Sequence, residues 1–172
     1  MIVIEIIDIK NFMAHLLLKE TFDHFLLFEA RAVTSSELIL KGKRRQEWYD
    51  SGQWEQLQEE NSVHDCGYMS WGEMRDMVFH FIKGKKSPDK LMVDLEASDR
   101  QRQQILGGRM AENPAELPSL RLQIRFEQGE LVMVPVVSYP SFTLDKSGET
   151  LWEEALQSFL KHYQIAFQKK IL

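Results

Sequence analysis

The sequence is poor in the features that announce a chemistry. It has one cysteine, Cys66, so no intrachain disulfide can form, and a single thiol cannot build a zinc site. That favours a reducing compartment. Five prolines and nine glycines in 172 residues, with no repeat and no biased tract, exclude collagenous and low-complexity architectures. No apolar run approaches the ~20 residues that a membrane-spanning helix requires. The apolar start is interrupted by Glu5 and Asp8 and has no basic segment before it, so it does not read as a signal peptide. Positive charge is in deficit, with 21 Lys and Arg against 26 Asp and Glu and a net charge of −5. Broad nucleic-acid binding needs a basic surface that displaces counterions, which this balance argues against. The patterns H-E-x-x-H, G-x-S-x-G, G-x-G-x-x-G and C-x-x-C are all missing, which removes the commonest hydrolase, dinucleotide and redox readings. A soluble, cytoplasmic protein is expected, with no cofactor, no metal, no membrane partner and no assignable catalytic residue.

What is present is an ordinary globular composition, 44% hydrophobic and 27% charged, with four Trp and ten Phe to fill a core. One domain over residues 1–172 is the size expectation. Residues 2–7 suggest a short strand. Asp8 then begins a helix whose Ile9, Phe12, Met13, Leu16 and Leu17 fall on one stripe. Phe22 to Val33 reads as a strand, and Glu37 to Lys41 as its return. Residues 42–69 read as a loop with one helical turn near Gln53–Glu60. Ser70 and Glu73 form a capping box for a helix that presents Trp71, Met74, Val78, Phe81 and Ile82 on one face, with Gly84 as its left-handed C-cap. Lys90–Glu96 alternates as a strand. Ser98 caps a polar, weakly held helix ending at Gly107-Gly108, and Met110–Ser119 reads as a surface loop.

The clearest alternation is Leu120-Arg121-Leu122-Gln123-Ile124-Arg125-Phe126-Glu127, a strand with one buried face. Gln128-Gly129 turns it into a hairpin with Leu131–Val137, and Pro135 pushes that return strand toward an edge or bulge. Ser141–Asp145 suggests a further short strand. A last helix, capped by Thr150 and Glu153, carries an apolar stripe from Trp152 to Phe167. Hairpins mixed with separated helices predict an α+β fold, with a mainly antiparallel sheet of about five to seven strands against three or four helices.

Candidate chemistry is sparse. Glu73, Asp76 and His80 line the polar face of the Ser70 helix, where carboxylate and imidazole together suit metal binding or acid–base work. A solvated helix face explains them equally. Lys83-Gly84-Lys85-Lys86-Ser87 fails as a phosphate loop, because Phe79 stands where a glycine is required and Lys86 where Ser or Thr is required. The lysines also complement a helix C-terminus, which attracts cations. His64-Asp65-Cys66 is the only His/Cys cluster, without a protease or redox motif around it. Arg121 and Arg125, with Gln123 between them, project from the polar face of one strand, and arginines on a sheet face can grip a carboxylate or phosphate. Trp48 and Trp54 beside them would make a stacking platform for single strands.

At these residues a resemblance enters. Ile9-Lys10-Asn11-Phe12-Met13, Thr21-Phe22-Asp23-His24-Phe25-Leu26-Leu27 with Glu29-Ala30, and Ile82-Lys83-Gly84-Lys85-Lys86-Ser87-Pro88 match a pattern; Trp71, Arg75, Phe142-Thr143-Leu144-Asp145-Lys146 and Trp152 also fit it. The chain thereby resembles an uncharacterised bacterial family of about this length, a domain of unknown function. The resemblance spans nearly the whole chain and implies a single domain. Residues 48–68 and 98–118 match least and read as variable loops. It brings no activity, cofactor or site residue.

The expected function is an intracellular binding or interaction module without catalytic activity, with a homodimer or another protein as partner. The rival is an enzyme on an anionic small molecule, phosphorylated or carboxylated, using His80, Asp76 or Cys66 beside Arg75 and the lysines. A single-stranded nucleic-acid binder comes third. Arg75, His80, Lys83, Lys85, Lys86, Arg121 and Arg125 are the candidate ligand-binding residues.

Overall fold

Backbone pairing follows the alternation of the strands and the caps of the helices. The computed structural model describes residues 1–107 and 116–171. Strand β1 (Ile2–Ile6) buries Ile2, Ile4 and Ile6. The Asp8 carboxylate then accepts from the Asn11 amide at 3.0 Å and opens helix α1 (Ile9–Leu17). After a turn come β2 (Leu26–Val33) and β3 (Glu37–Lys41), then helices α2 (Ser51–Glu60) and α3 (Trp71–Ile82). Strand β4 (Lys90–Glu96), helix α4 (Asp99–Leu106) and the hairpin β5 (Ser119–Glu127)–β6 (Glu130–Ser138) follow. Helix α5 (Ser147–His162) and strand β7 (Phe167–Ile171) close the chain. The sheet order is β3-β2-β4-β5-β6-β1-β7, with every neighbouring pair antiparallel. This is the expected α+β class, with seven strands and five α-helices among the described residues, α2 being the addition. No helix among these residues is long and apolar enough to cross a membrane.

One face of the sheet carries the core. Leu91, Val93 and Leu95 of β4 meet Leu120, Leu122 and Ile124 of β5 and Leu131 and Met133 of β6 beneath α1, α3 and α5. The two buried indoles have their N–H groups satisfied: Trp71 Nε1 donates to the Leu16 carbonyl and Trp152 Nε1 to the Arg121 carbonyl, each at 2.8 Å. These bonds pin α3 to α1 and α5 to β5.

Several elements differ from the local reading. The strand expected from Phe22 begins only at Leu26, because residues 19–24 turn and Phe25 N bonds Phe22 O at 3.1 Å. A strand would send Phe22 and Phe25 to opposite faces, whereas the turn puts both against Phe159. The helical turn near Gln53 is a ten-residue helix, opened by an Asp50–Gln53 capping box. Gly84 is not a left-handed cap: Lys83 ends α3 in an extended conformation, and the only positive-φ glycine among the described residues is Gly129 in the β5–β6 turn.

Helix α4 is held more firmly than its polar sequence suggests, by fully buried Leu106 and by Arg102, whose guanidinium donates to the Leu117 and Pro118 carbonyls. Pro135 lies inside the sheet in unbroken register with Leu122, but β1 pairs β6 only at Val132 and Met133. The ladder position missing its N–H therefore faces the side that β1 leaves unpaired. Residues 141–145 form no strand, and Phe142 and Leu144 are exposed. Helix α5 starts at Ser147, not at Thr150, and its cap Lys146 makes no side-chain cap bond. It stops at His162, where Gln164 takes φ 57° and the chain swings out to pair β7 with all five residues of β1. Residues 110–115 of the expected surface loop, and Gly108 of the expected helix end before it, lie outside the described residues.

Candidate functional site

Two polar clusters emerge, one at each end of α3. At its C-terminal end, α1 and α3 converge on the β5–β6 turn. Ile9, Met13 and Leu17 recur every four residues on α1 and share a floor with Phe79, Ile82 and Phe126. This open trough, about 570 Å³, is rimmed by Lys10, Lys83, Lys85 and Lys86. No carboxylate lines it, and none of the four lysines is ion-paired within the described residues. Lys83, extended rather than helical, ends α3, and the chain from it to Pro88 lines the trough.

The other cluster is built around His64. Leu95 faces the core, so Glu96 points to the opposite sheet face by strand alternation, and there the segment after α2 covers it. His64 Nε2 lies 3.0 Å from Glu96 Oε2, while Nδ1 lies 2.9 Å from Asp65 Oδ1 and 3.4 Å from Asp99 Oδ1. Carboxylates only accept, so both ring nitrogens carry protons and the ring is an imidazolium. The hydrogen bond to Asp65 and then that to Glu96, against the opposing effect of burial, lift the imidazole to about 9. Burial would raise Asp99, but bonds from Ser62 and Arg102 outweigh it and hold that carboxyl below its usual value. His64, Asp65 and Asp99 offer atoms within 4.8 Å of one another, a spacing a cation could bridge. Each of those atoms is already committed: Asp65 Oδ1 also accepts from the Asp99 amide, and Asp99 Oδ1 from Arg102. The cluster is an ion network of three carboxylates, the imidazolium and the Arg102 guanidinium, and it ties the 62–67 segment to β4 and α4. Beside it, α4, Glu60 and Asp23 border a polar cleft of about 980 Å³.

The residues singled out in the sequence are dispersed. Lys83, Lys85 and Lys86 share the trough, joined by Lys10, which the sequence reading did not select. Arg75 is committed elsewhere, to Asp23 through Nε at 2.7 Å and Nη2 at 3.3 Å, and to the Leu17 carbonyl through Nη1. His80 is exposed beside Phe79, outside the trough lining. Asp76 approaches Arg75, and Glu73 pairs with Arg44 while capping α3. Cys66 is buried, with Sγ donating to the Val63 carbonyl.

On the sheet face away from the core, Arg121 pairs with Asp94 at 2.6 Å and lies 3.8 Å over the Phe28 ring. Burial raises the Asp94 carboxyl, with Arg121 opposing. Arg125 donates to Gln123. The aromatic under Arg121 is thus Phe28, while Trp54 packs tilted against Tyr49 and Trp48 stands exposed. The trough that gathers the lysines is lined by neither Arg75 nor His80.

The His64–Glu96 and Lys10–Lys83 groupings had no sequence signal, because each joins elements far apart in the chain. Neither curated proteins nor solved structures yield a match to the chain. A family model described as a family of unknown function (DUF5721) matches residues 15–168, a span that holds α3, the Lys83–Lys86 segment and the His64 network, and the chain belongs to that family.

Proposed function

We propose that the protein is an interaction module without catalytic activity, whose binding surface is the lysine-rimmed trough between α1 and α3. The support is a charge asymmetry: among the described residues, four lysines and no carboxylate surround an apolar floor in a chain of net charge −5. Unpaired cations around apolar surface favour a partner that is anionic and partly apolar, since each contact desolvates one chemistry against its complement. The enzymatic alternative rests on His80, Asp76 or Cys66 beside Arg75 and the lysines, and none of those four residues is in the trough lining.

The test is a thermal-shift and binding series with poly-glutamate and with phosphorylated and carboxylated metabolites, on the wild type and on a K83E/K85E/K86E variant. Stabilisation by at least one anion in the wild type, absent in the variant and weakened by salt, is expected. No shift with any anion, or a shift that survives the charge reversal, refutes the reading.

A further inference from the structure

The same chain carries a surface complementary to the trough. Between Gln46 and Met74 there are seven Asp and Glu and no Lys or Arg. This stretch contains α2, which has no buried residue and presents Glu55, Glu59 and Glu60 to solvent. Trp48, just before it, is 80% exposed, and Val63, just after it, is 93% exposed. A large apolar ring left in water beside a carboxylate-rich helix is the composition of an interface anchor.

This acidic arm cannot reach the trough of its own molecule. It is fixed at the N-terminal end of α3, where Arg44 bridges Tyr49 at 3.2 Å and Glu73 at 3.2 Å. The trough lies at the other end of that helix, beside Phe79 and Ile82, and twelve residues of α-helix span about 18 Å. Complementary surfaces that cannot meet within one chain can meet between two.

We infer that the trough is occupied by the acidic arm of a second copy of this chain, with Trp48 on the apolar floor and the α2 carboxylates against the lysine rim. Two copies related by a twofold axis can exchange arms, which closes the assembly with two equivalent contacts. The inference rests on the reading that the trough takes an anionic partner, and names that partner.

Charge-swap ultracentrifugation tests it. Variant one is K83E/K85E/K86E, with trough and arm both acidic; variant two is E55K/E59K/E60K, with both basic. Asp50 is left intact because it caps α2. The wild type should show concentration-dependent dimerisation. Each variant alone should associate at least about tenfold more weakly, as like charges face each other, and an equimolar mixture should recover a one-to-one dimer. Trp48→Ala should weaken the wild-type dimer to a similar degree. Circular dichroism of each variant confirms that its fold is retained, and should either misfold, single Lys85→Glu and Glu59→Lys replace them in the same scheme.

A monomeric wild type, or variants that dimerise like the wild type, overturns the inference. So does a mixture that fails to associate. Poly-glutamate separates the two levels. If the wild type is monomeric yet binds the polymer through Lys83, Lys85 and Lys86, the anionic-partner reading stands and self-association falls. If it does neither, both fall.

Discussion

The His64 network makes stability depend on pH with a sign fixed by its chemistry. His64 has a folded-state pKa of about 9 against an ordinary 6.5. A raised pKa means that the folded state holds a proton that the unfolded chain releases, so the contribution is complete below pH 6.5. It decays as pH rises and is gone once pH passes about 9. At ~1.4 kcal/mol per tenfold, the full shift corresponds to roughly 3.4 kcal/mol. The side chain is 27% exposed and three carboxylates share one imidazolium, so solvent screening reduces this to about 1–2 kcal/mol.

The perturbation is His64→Gln, which keeps a polar side chain of similar reach but cannot be charged. The assay is urea unfolding of wild type and variant at pH 6, 7.5 and 9.5, read as the difference between the two proteins so that other titrating groups cancel. The difference should be about 1–2 kcal/mol at pH 6 and shrink toward zero at pH 9.5. In parallel, the His64 ring protons should titrate in NMR near 9, well above the ordinary imidazole value of 6.5. A difference that grows with pH, or a His64 titration near 6.5, would show that the ring is not held as an imidazolium by Glu96 and Asp65.

Three further substitutions probe the frame around the candidate site. Arg75→Lys loses the paired contact with Asp23, since a point-like ammonium cannot match both oxygens, and should cost about 1–2 kcal/mol in chemical unfolding; an unchanged midpoint refutes the pairing. Gly42→Ala places a Cβ 1.6 Å from the Leu27 carbonyl oxygen, where β2 and the segment after β3 approach most closely, and should destabilise by more than ~4 kcal/mol or prevent soluble expression. A variant as stable as wild type would contradict that backbone contact. Asp50→Ala removes the α2 cap and should lower stability by about 1 kcal/mol, measured by thermal unfolding, with Asp50→Ser close to neutral.

Local patterns made much of the fold legible. Strand β5 and the start of α3 were readable because alternation and a capping box depend on residues within four positions of each other. Strand β4 matches its expected bounds for the same reason. The Asp50–Gln53 box of α2 is equally local, but the serine and glycine after Asp50 read as a break in the pattern. The candidate site was half legible: Lys83, Lys85 and Lys86 stand out in sequence, but nothing there marks Lys10 or the α1 ridge as the opposite wall.

By itself the sequence determined which segments are strands and helices wherever periodicity and caps agree, and that the sheet is antiparallel with one buried face. It also determined that the lysines after Ile82 follow a helix end, since that depends on chain order alone. Only the tertiary structure decided where α5 stops. Ala166 and Phe167 continue a helical period, yet pairing with β1 draws β7 into the sheet and overrides that local preference. It also decided which charges become neighbours. Lys10 meets the lysines after α3, and His64 meets Glu96, because packing of α1 on α3 and the cover over β4 bring them together. Whether a charge stands paired or free depends on long-range packing, which no spacing along the chain records.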